Sequence, residues 1–338
     1  MRQLELTERI LRLRAVPTLR QLPAQDLVQL ASSMRSRRFQ RGDVMLREDE
    51  PPRSFFIVLM GKVTMRRRGK RIGTIRAPGA VGFMNMLARH AGGTSAVAET
   101  HVEAYEVFGD AMADVFEDHF SVLLGTLRMV ADRLMQENQR QTPPPFAPPD
   151  VPFDHLVGDR EIGIVERMFL LRRMRAFTHA NLNSLATIAR RMTEVREPAG
   201  TVLWRPGERA DYSYFVVKGM LSLRWNDGET VQEVGPGYAL GGAESLTGLP
   251  RWNELRTEEP VVLLRGSREA MIDLFEDDRE LAARFMSMLA TMVVMRWDRK
   301  AEEGVTSVGS GSPDSEPPPG VVDTSSSPSL LPSGAPRS

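Results

Sequence analysis

The chain has 338 residues, enough for two ordinary domains, and its 41% hydrophobic and 26% charged content is that of a globular chain with real cores. Lys+Arg and Asp+Glu are both 44, and a net charge of zero argues against a protein that coats nucleic acid. Cysteine is absent, which excludes disulfides, thiol nucleophiles and thiolate metal sites.

The five histidines, His90, His101, His119, His155 and His179, show no metal-ligand spacing and read as surface or helix residues, so no metal is expected. The longest purely apolar run, Phe55 to Met60, is about a third of a helical membrane span. The N-terminal residues are charged throughout and lack a signal-peptide core. The expectation is therefore a cytoplasmic protein with no membrane partner. No Ser-His-Asp order, paired-carboxylate cleft or Walker-type loop appears, so the chain is not expected to be an enzyme.

In chain order, a helix is predicted from the apolar spacing Leu22, Leu27, Leu30, Ala31 and Met34. A run of about eight short strands follows. Within it, Lys62-Val63-Thr64-Met65-Arg66 alternates with period 2, and glycines stand at strand ends. The run Arg66-Arg67-Arg68-Gly69-Lys70-Arg71 reads as a solvated hairpin tip, or else as a contact for an acidic partner or nucleic acid, with Arg35, Arg37, Arg38 and Arg41 able to enlarge it. Phe120, Leu124, Leu127, Val130 and Leu134 then share one helical stripe.

Six prolines between Thr142 and Pro152 cannot continue a helix and predict a stiff linker over 142–153. The same order of elements begins again. A leading helix is read from Leu182, Leu185, Ile188, Ala189 and Met192. Alternation returns at Leu221-Ser222-Leu223-Arg224-Trp225, and a closing stripe runs through Leu281, Phe285, Met288, Leu289, Met292 and Val293. The cluster Glu276-Asp277-Asp278-Arg279-Glu280 opens that last helix, where acidic residues suit the helix dipole; it reads as capping. Ten serines and seven prolines between Gly304 and Ser338 predict a disordered tail.

The two halves are copies. Gly42, Gly61 and Gly79 recur 158 positions later as Gly200, Gly219 and Gly237, each in similar company, and Asp114-Val115-Phe116-Glu117-Asp118 recurs 159 positions later as Asp273-Leu274-Phe275-Glu276-Asp277. The domains expected are 1–141, a linker at 142–153, 154–303, and a tail at 304–338. Each is a jelly-roll-like β-roll with flanking helices, mainly β.

The string Gly-Asp/Thr-Val-x-Leu, then Phe-x-Val-x-x-Gly, then Pro-Gly-x-x-x-Gly resembles the cyclic nucleotide-binding domain of catabolite-activator-type regulators and of protein kinase A regulatory subunits. The resemblance spans about residues 10–138 and 168–298. It implies a ligand segment in which a Gly-Glu opens a short helix and an Arg follows some nine residues later. Backbone N–H groups and the Arg would hold the cyclic phosphate, and the Glu would accept from the ribose 2′-hydroxyl. Carried onto the second copy, Gly241 takes the glycine position and Arg251 the arginine position, but Gly242 replaces the glutamate. A short helix is expected over Ala243 to Leu246. Glu244 either supplies the ribose acceptor or repels the phosphate, and Trp252, Asn253 and Glu254 replace small residues. One missing charge-assisted hydrogen bond costs about 1.5–3 kcal/mol, roughly tenfold to a hundredfold in affinity.

In the first copy Phe83 stands at the glutamate position and Gly92 at the arginine position, so that copy is expected to be structural, with Thr94, Ser95, Arg89 or His90 as the remaining candidates for an anion. Transcription regulators of the family carry a recognition helix after the closing helix; here the tail follows at about Lys300, so direct nucleic-acid binding is not expected. The resemblance implies a non-catalytic sensor that takes cAMP or cGMP in the second copy and acts on a protein partner. The alternatives are a scaffold that no longer binds ligand, and a regulator whose DNA-contacting part is supplied by another chain. The spacing of seven in Phe120, Leu127 and Leu134 fits a coiled seam and the expectation of a homodimer, or a helix packed on its own β-roll.

Overall fold

Alternating side chains bury one face of the strand at Lys62–Arg67, where Val63 and Met65 point inward, whereas a strand such as Tyr212–Lys218 is buried on both faces. The first repeat comprises α1 (Arg2–Ala15), α2 (Ala24–Ser33), β1 (Arg35–Phe39), β2 (Val44–Leu46), β3 (Ser54–Met60), β4 (Lys62–Arg67), β5 (Lys70–Arg76), β6 (Gly79–Val81), α3 (Phe83–Ala88), β7 (Thr94–Ala98), β8 (Val102–Phe108), α4 (Gly109–Asp118) and α5 (Phe120–Arg140). The second comprises α6 (Ile164–Arg172), α7 (Leu182–Arg191), β9 (Thr193–Glu197), β10 (Val202–Trp204), β11 (Tyr212–Lys218), β12 (Leu221–Trp225), β13 (Thr230–Val234), β14 (Ala239–Leu240), α8 (Gly242–Thr247), β15 (Glu254–Thr257), β16 (Val261–Ser267), α9 (Arg268–Asp277) and α10 (Arg279–Glu303). This computed structural model describes residues 2–15, 22–50, 52–89, 94–140, 160–174, 177–178, 180–225 and 228–303. The linker expected at 142–153 and the tail expected at 304–338 lie outside those residues, as do His90, Gly92, Gly93, His155 and His179.

Four antiparallel sheets run β1-β8-β3-β6, β2-β7-β4-β5, β9-β16-β11-β14 and β10-β15-β12-β13. The last two orders are the first two advanced by eight strands, so the repeat seen in sequence is a repeat of topology. Each pair of sheets encloses an apolar interior. Phe39, Val58, Val63 and Ala104 fill the first roll, and Trp204, Val216, Leu221 and Leu263 the second. Gly61 and Gly219 turn between strands at φ +99° and +85°, and a Cβ there would lie 2.2 and 2.4 Å from the carbonyls of His101 and Pro260. Only glycine fits both the backbone and the gap.

The helices of both repeats share a single apolar cluster, and residues 1–303 form one compact unit. The closing helices cross over: α10 of the second repeat packs on α3 of the first, α5 of the first packs on α8 of the second, and α5 and α10 pack on each other. Leu127 and Leu134 are buried in the shared helical cluster, and Phe120 is partly buried against it. The stripe is thus buried within this chain; its seven-residue spacing had fitted either a homodimer seam or a helix packed on its own β-roll. Asp278 accepts from Leu281 N at 2.9 Å and from Ser184 Oγ at 2.6 Å, which is capping at the start of α10, as read from the acidic cluster.

The repeat extends further than its sequence signature. Arg9 on α1 donates to the carbonyl of Met34 at 2.8 Å, and Arg167 on α6 donates to that of Met192 at 2.6 Å. Both arginines and both methionines are 158 positions apart.

Candidate functional site

The second repeat places its ligand segment between β14 and β15. Gly241 caps α8 in the left-handed region at φ +77°, and a Cβ there would lie 2.3 Å from an Nη atom of Arg251. Glycine is required by both the angle and the arginine that fills the space behind it. Arg251 is 2% exposed. Its guanidinium lies 4.0 Å from the ring centre of Trp204 and 5.3 Å from that of Tyr212, distances suited to cation–π attraction. Nη1 donates to the carbonyl of Gly241 at 3.3 Å and Nη2 to that of Tyr212. Nε is buried with no acceptor. None of these acceptors is a carboxylate. Burial pulls the guanidinium pKa below its ordinary value, opposed by the field of Glu244. Glu244 offsets part of the cost of burying this cation through its field, but no carboxylate accepts a hydrogen bond from it.

The remaining predicted residues surround this arginine. Glu244 is buried and accepts from Trp252 Nε1 at 2.9 Å, so its carboxylate is engaged with the protein. That bond uses Oε1, and the second carboxylate oxygen keeps its acceptor capacity. Asn253 accepts from Trp204 Nε1 at 2.9 Å inside the roll. Trp252 meets Trp225 edge-on at 5.1 Å. Ala243 packs against the helical apolar cluster, and Gly242 has open space where a side chain would start. The structure therefore brings Gly241, Gly242, Ala243, Glu244, Arg251, Trp252 and Asn253 together, with α8 forming one residue beyond each end of the predicted span. Trp204 and Tyr212 belong to the same cluster and were not foreseen. The signal for them was the disagreement between copies, since Leu46 and Ser54 hold the matching positions of the first repeat.

In the first repeat Gly82 caps α3 at φ +88°, and Phe83 packs its ring 4.8 Å from Phe55. Thr94 is buried and stands opposite Arg67 in the β4–β7 register. Here one expectation fails. Arg67 was placed in a solvated hairpin tip, yet it is 1% exposed, because its place in the period-2 alternation turns it inward with Val63 and Met65. It donates to Thr94 Oγ1 at 2.6 Å and forms an ion pair with Asp298 of α10. Arg66, Arg68, Lys70 and Arg71 are exposed as expected.

Among the described residues no group of His, Asp or Glu is arranged to hold a metal ion, and no helix is long and apolar enough to cross a membrane.

The family described as the cyclic nucleotide-binding domain matches residues 36–119 and 194–278. No curated protein matches the chain. Among solved structures, a mutant regulatory subunit of a cAMP-independent protein kinase A from Trypanosoma brucei, bound to cAMP, is 15% identical over 88% of this chain and 92% of its own, with a TM-score of 0.33. The cAMP-bound regulatory domain of Toxoplasma gondii protein kinase A is 14% identical over 88% and 97%, at 0.31. A putative cyclic nucleotide-binding protein from Geobacter metallireducens is 24% identical over 37% and 94%, at 0.33. Scores this low carry no argument about how the repeats are arranged. The two family matches together span half of the sequence, one on each β-roll, and the chain belongs to the cyclic nucleotide-binding domain family, whose domain it carries twice.

Proposed function

We propose that the chain is a non-catalytic cyclic-nucleotide sensor whose ligand site lies in the second repeat and whose output is a change in how the closing helices hold a protein partner. The observation that supports it is the state of Arg251, which is buried at the position the resemblance assigns to the phosphate-binding arginine, with no carboxylate acceptor and an orphaned Nε. A cyclic phosphate would supply that acceptor. The α5 helix of the first repeat packs on α8, and Arg128 of α5 donates to the carbonyl of Leu246 at 3.1 Å. Movement of α8 on binding would reach α5 directly.

A second reading, a scaffold that binds no nucleotide, is favoured by one observation. Trp204, Tyr212 and the Gly241 carbonyl already cradle the guanidinium, and Trp252 occupies a position where the resemblance implies a small residue. Calorimetric and thermal-shift titration with cAMP and cGMP separates the two. A ligand at a hundred times its dissociation constant stabilises the fold by about 2.7 kcal/mol. If neither nucleotide shifts melting at millimolar concentration, the sensor reading falls and the scaffold reading replaces it.

A further inference from the structure

The first repeat lacks the family's arginine, yet a buried guanidinium stands at its ligand segment all the same. Arg67 ends β4 and lies opposite Thr94, the residue two positions after Gly92. Its Nη1 donates to Thr94 Oγ1 at 2.6 Å, and its Nε donates to Asp298. Asp298 belongs to α10, the closing helix of the other repeat. One face of that helix makes both attachments. Thr291, seven residues before Asp298 and so two turns back on the same side, donates to the carbonyl of Ala88 at the end of α3 at 3.3 Å. The matching strand positions of the second repeat hold Trp225 and Asn253, which bind no carboxylate, so the arrangement is particular to the first repeat.

We propose that the first repeat is a self-occupied anion site. The Asp298 carboxylate sits on Arg67, which Thr94 holds from its other side, where a small external oxyanion would otherwise be held, and by occupying the site it ties α10 of the second repeat to the first. The first repeat thus serves as a fixed anchor for the helix that closes the second. Its buried cation is neutral in effect because the chain brings its own anion.

The test uses the full chain without nucleotide, so its outcome is independent of the sensor reading. Asp298→Asn is nearly isosteric, and Asp298 is partly exposed, so the variant should fold; Arg67→Gln removes the other partner. Hydrogen exchange of the amides from Thr291 to Arg299 should quicken about tenfold in Asp298→Asn, equivalent to about 1.4 kcal/mol, with β11 and β16 unchanged. Inorganic phosphate should then stabilise Asp298→Asn more than wild type, and Arg67→Gln should show no such gain. Unchanged exchange in a folded Asp298→Asn would overturn the anchor. Equal phosphate stabilisation of Asp298→Asn and wild type would overturn the site.

Discussion

Arg67 and Arg251 are both sealed from water beside the ligand segment of their repeat, but they arrive there differently and are satisfied differently. Arg251 comes from the segment itself and rests on aromatic rings and carbonyls, with no carboxylate bound to it. Arg67 comes from the neighbouring strand and is paired with a carboxylate from the other repeat's helix. The two repeats share a topology and each buries an arginine at the matching end of its roll. In the first a carboxylate from α10 pairs directly with it; in the second Glu244 acts only through its field, and no carboxylate accepts a hydrogen bond from the guanidinium. The lesson is that loss of a signature residue does not empty a pocket of charge. It changes who supplies the partner.

The largest expected effect exploits that difference. Arg67→Met strands Asp298 without its partner and removes the donor to Thr94, and breaking one side of a largely buried pair costs about 3–5 kcal/mol. The lower end applies here because the Asp298 side chain keeps 24% of its exposure. Arg251→Met loses two hydrogen bonds and a cation–π contact worth about 1–2 kcal/mol, but also relieves the desolvation of a guanidinium that no carboxylate hydrogen-bonds, so its net cost should be smaller. Urea unfolding should therefore rank Arg67→Met as clearly the less stable variant. Nucleotide titration should rank them the other way, with stabilisation lost in Arg251→Met and kept in Arg67→Met. If both variants lose equal stability, the contrast between an arginine bound by a carboxylate and one that is not is wrong.

A smaller effect sharpens the account of the second pocket. Glu244 accepts from Trp252, and Gly242 stands where the resemblance implies the glutamate that would accept from ribose. A side chain begun at Gly242 meets open space, and no positive φ forbids one there. Gly242→Glu should therefore fold, and should raise affinity for a ribose cyclic nucleotide over its deoxyribose counterpart by about tenfold to a hundredfold, the value of one charge-assisted hydrogen bond. Calorimetry on both nucleotides reads this directly. Equal affinities would mean that the ligand does not present its ribose to this position.

The β-rolls were legible because alternation, glycine turns and the 158-residue offset are local signals that survive divergence. The nearness of Gly241 and Arg251 was read from the family resemblance, whose signature lies within one segment. Trp204, Tyr212 and Asp298 were not foreseen, because each reaches its site from a distant strand or helix, and no spacing encodes such an approach. Arg67 was misplaced for another reason. Its neighbours Arg66 and Arg68 made the run look like a solvated tip, and composition outweighed the alternation that already pointed Arg67 inward with Val63 and Met65. The crossing of α5 and α10 was hidden because a seven-residue stripe specifies a partner helix without saying whether that helix belongs to the same chain.

The smallest effect tests whether the repeats agree away from the ligand segment. Glu99 accepts from Thr64 at 2.9 Å, and its counterpart Glu258 accepts from Ser222 at 2.5 Å and from Arg224 at 2.7 Å. The Ser222 hydroxyl and the Arg224 guanidinium hold the Glu258 carboxyl below its ordinary value of 4.5. A carboxyl whose pKa is lower in the folded state favours folding when ionised. Its contribution is complete above about pH 4.5 and is lost as pH falls through the folded value. Because the side chain is 40% exposed, solvent screening should keep that contribution to a few tenths of a kcal/mol. Ser222→Ala removes the largest cause, so the Glu258 resonance should titrate at higher pH in a carbon-detected NMR series. Amide resonances around Thr64 and Glu99 should not move, since Ser222 belongs to the other roll. A shift in both would show that the two β-rolls are coupled through their sheets as well as through α5 and α10.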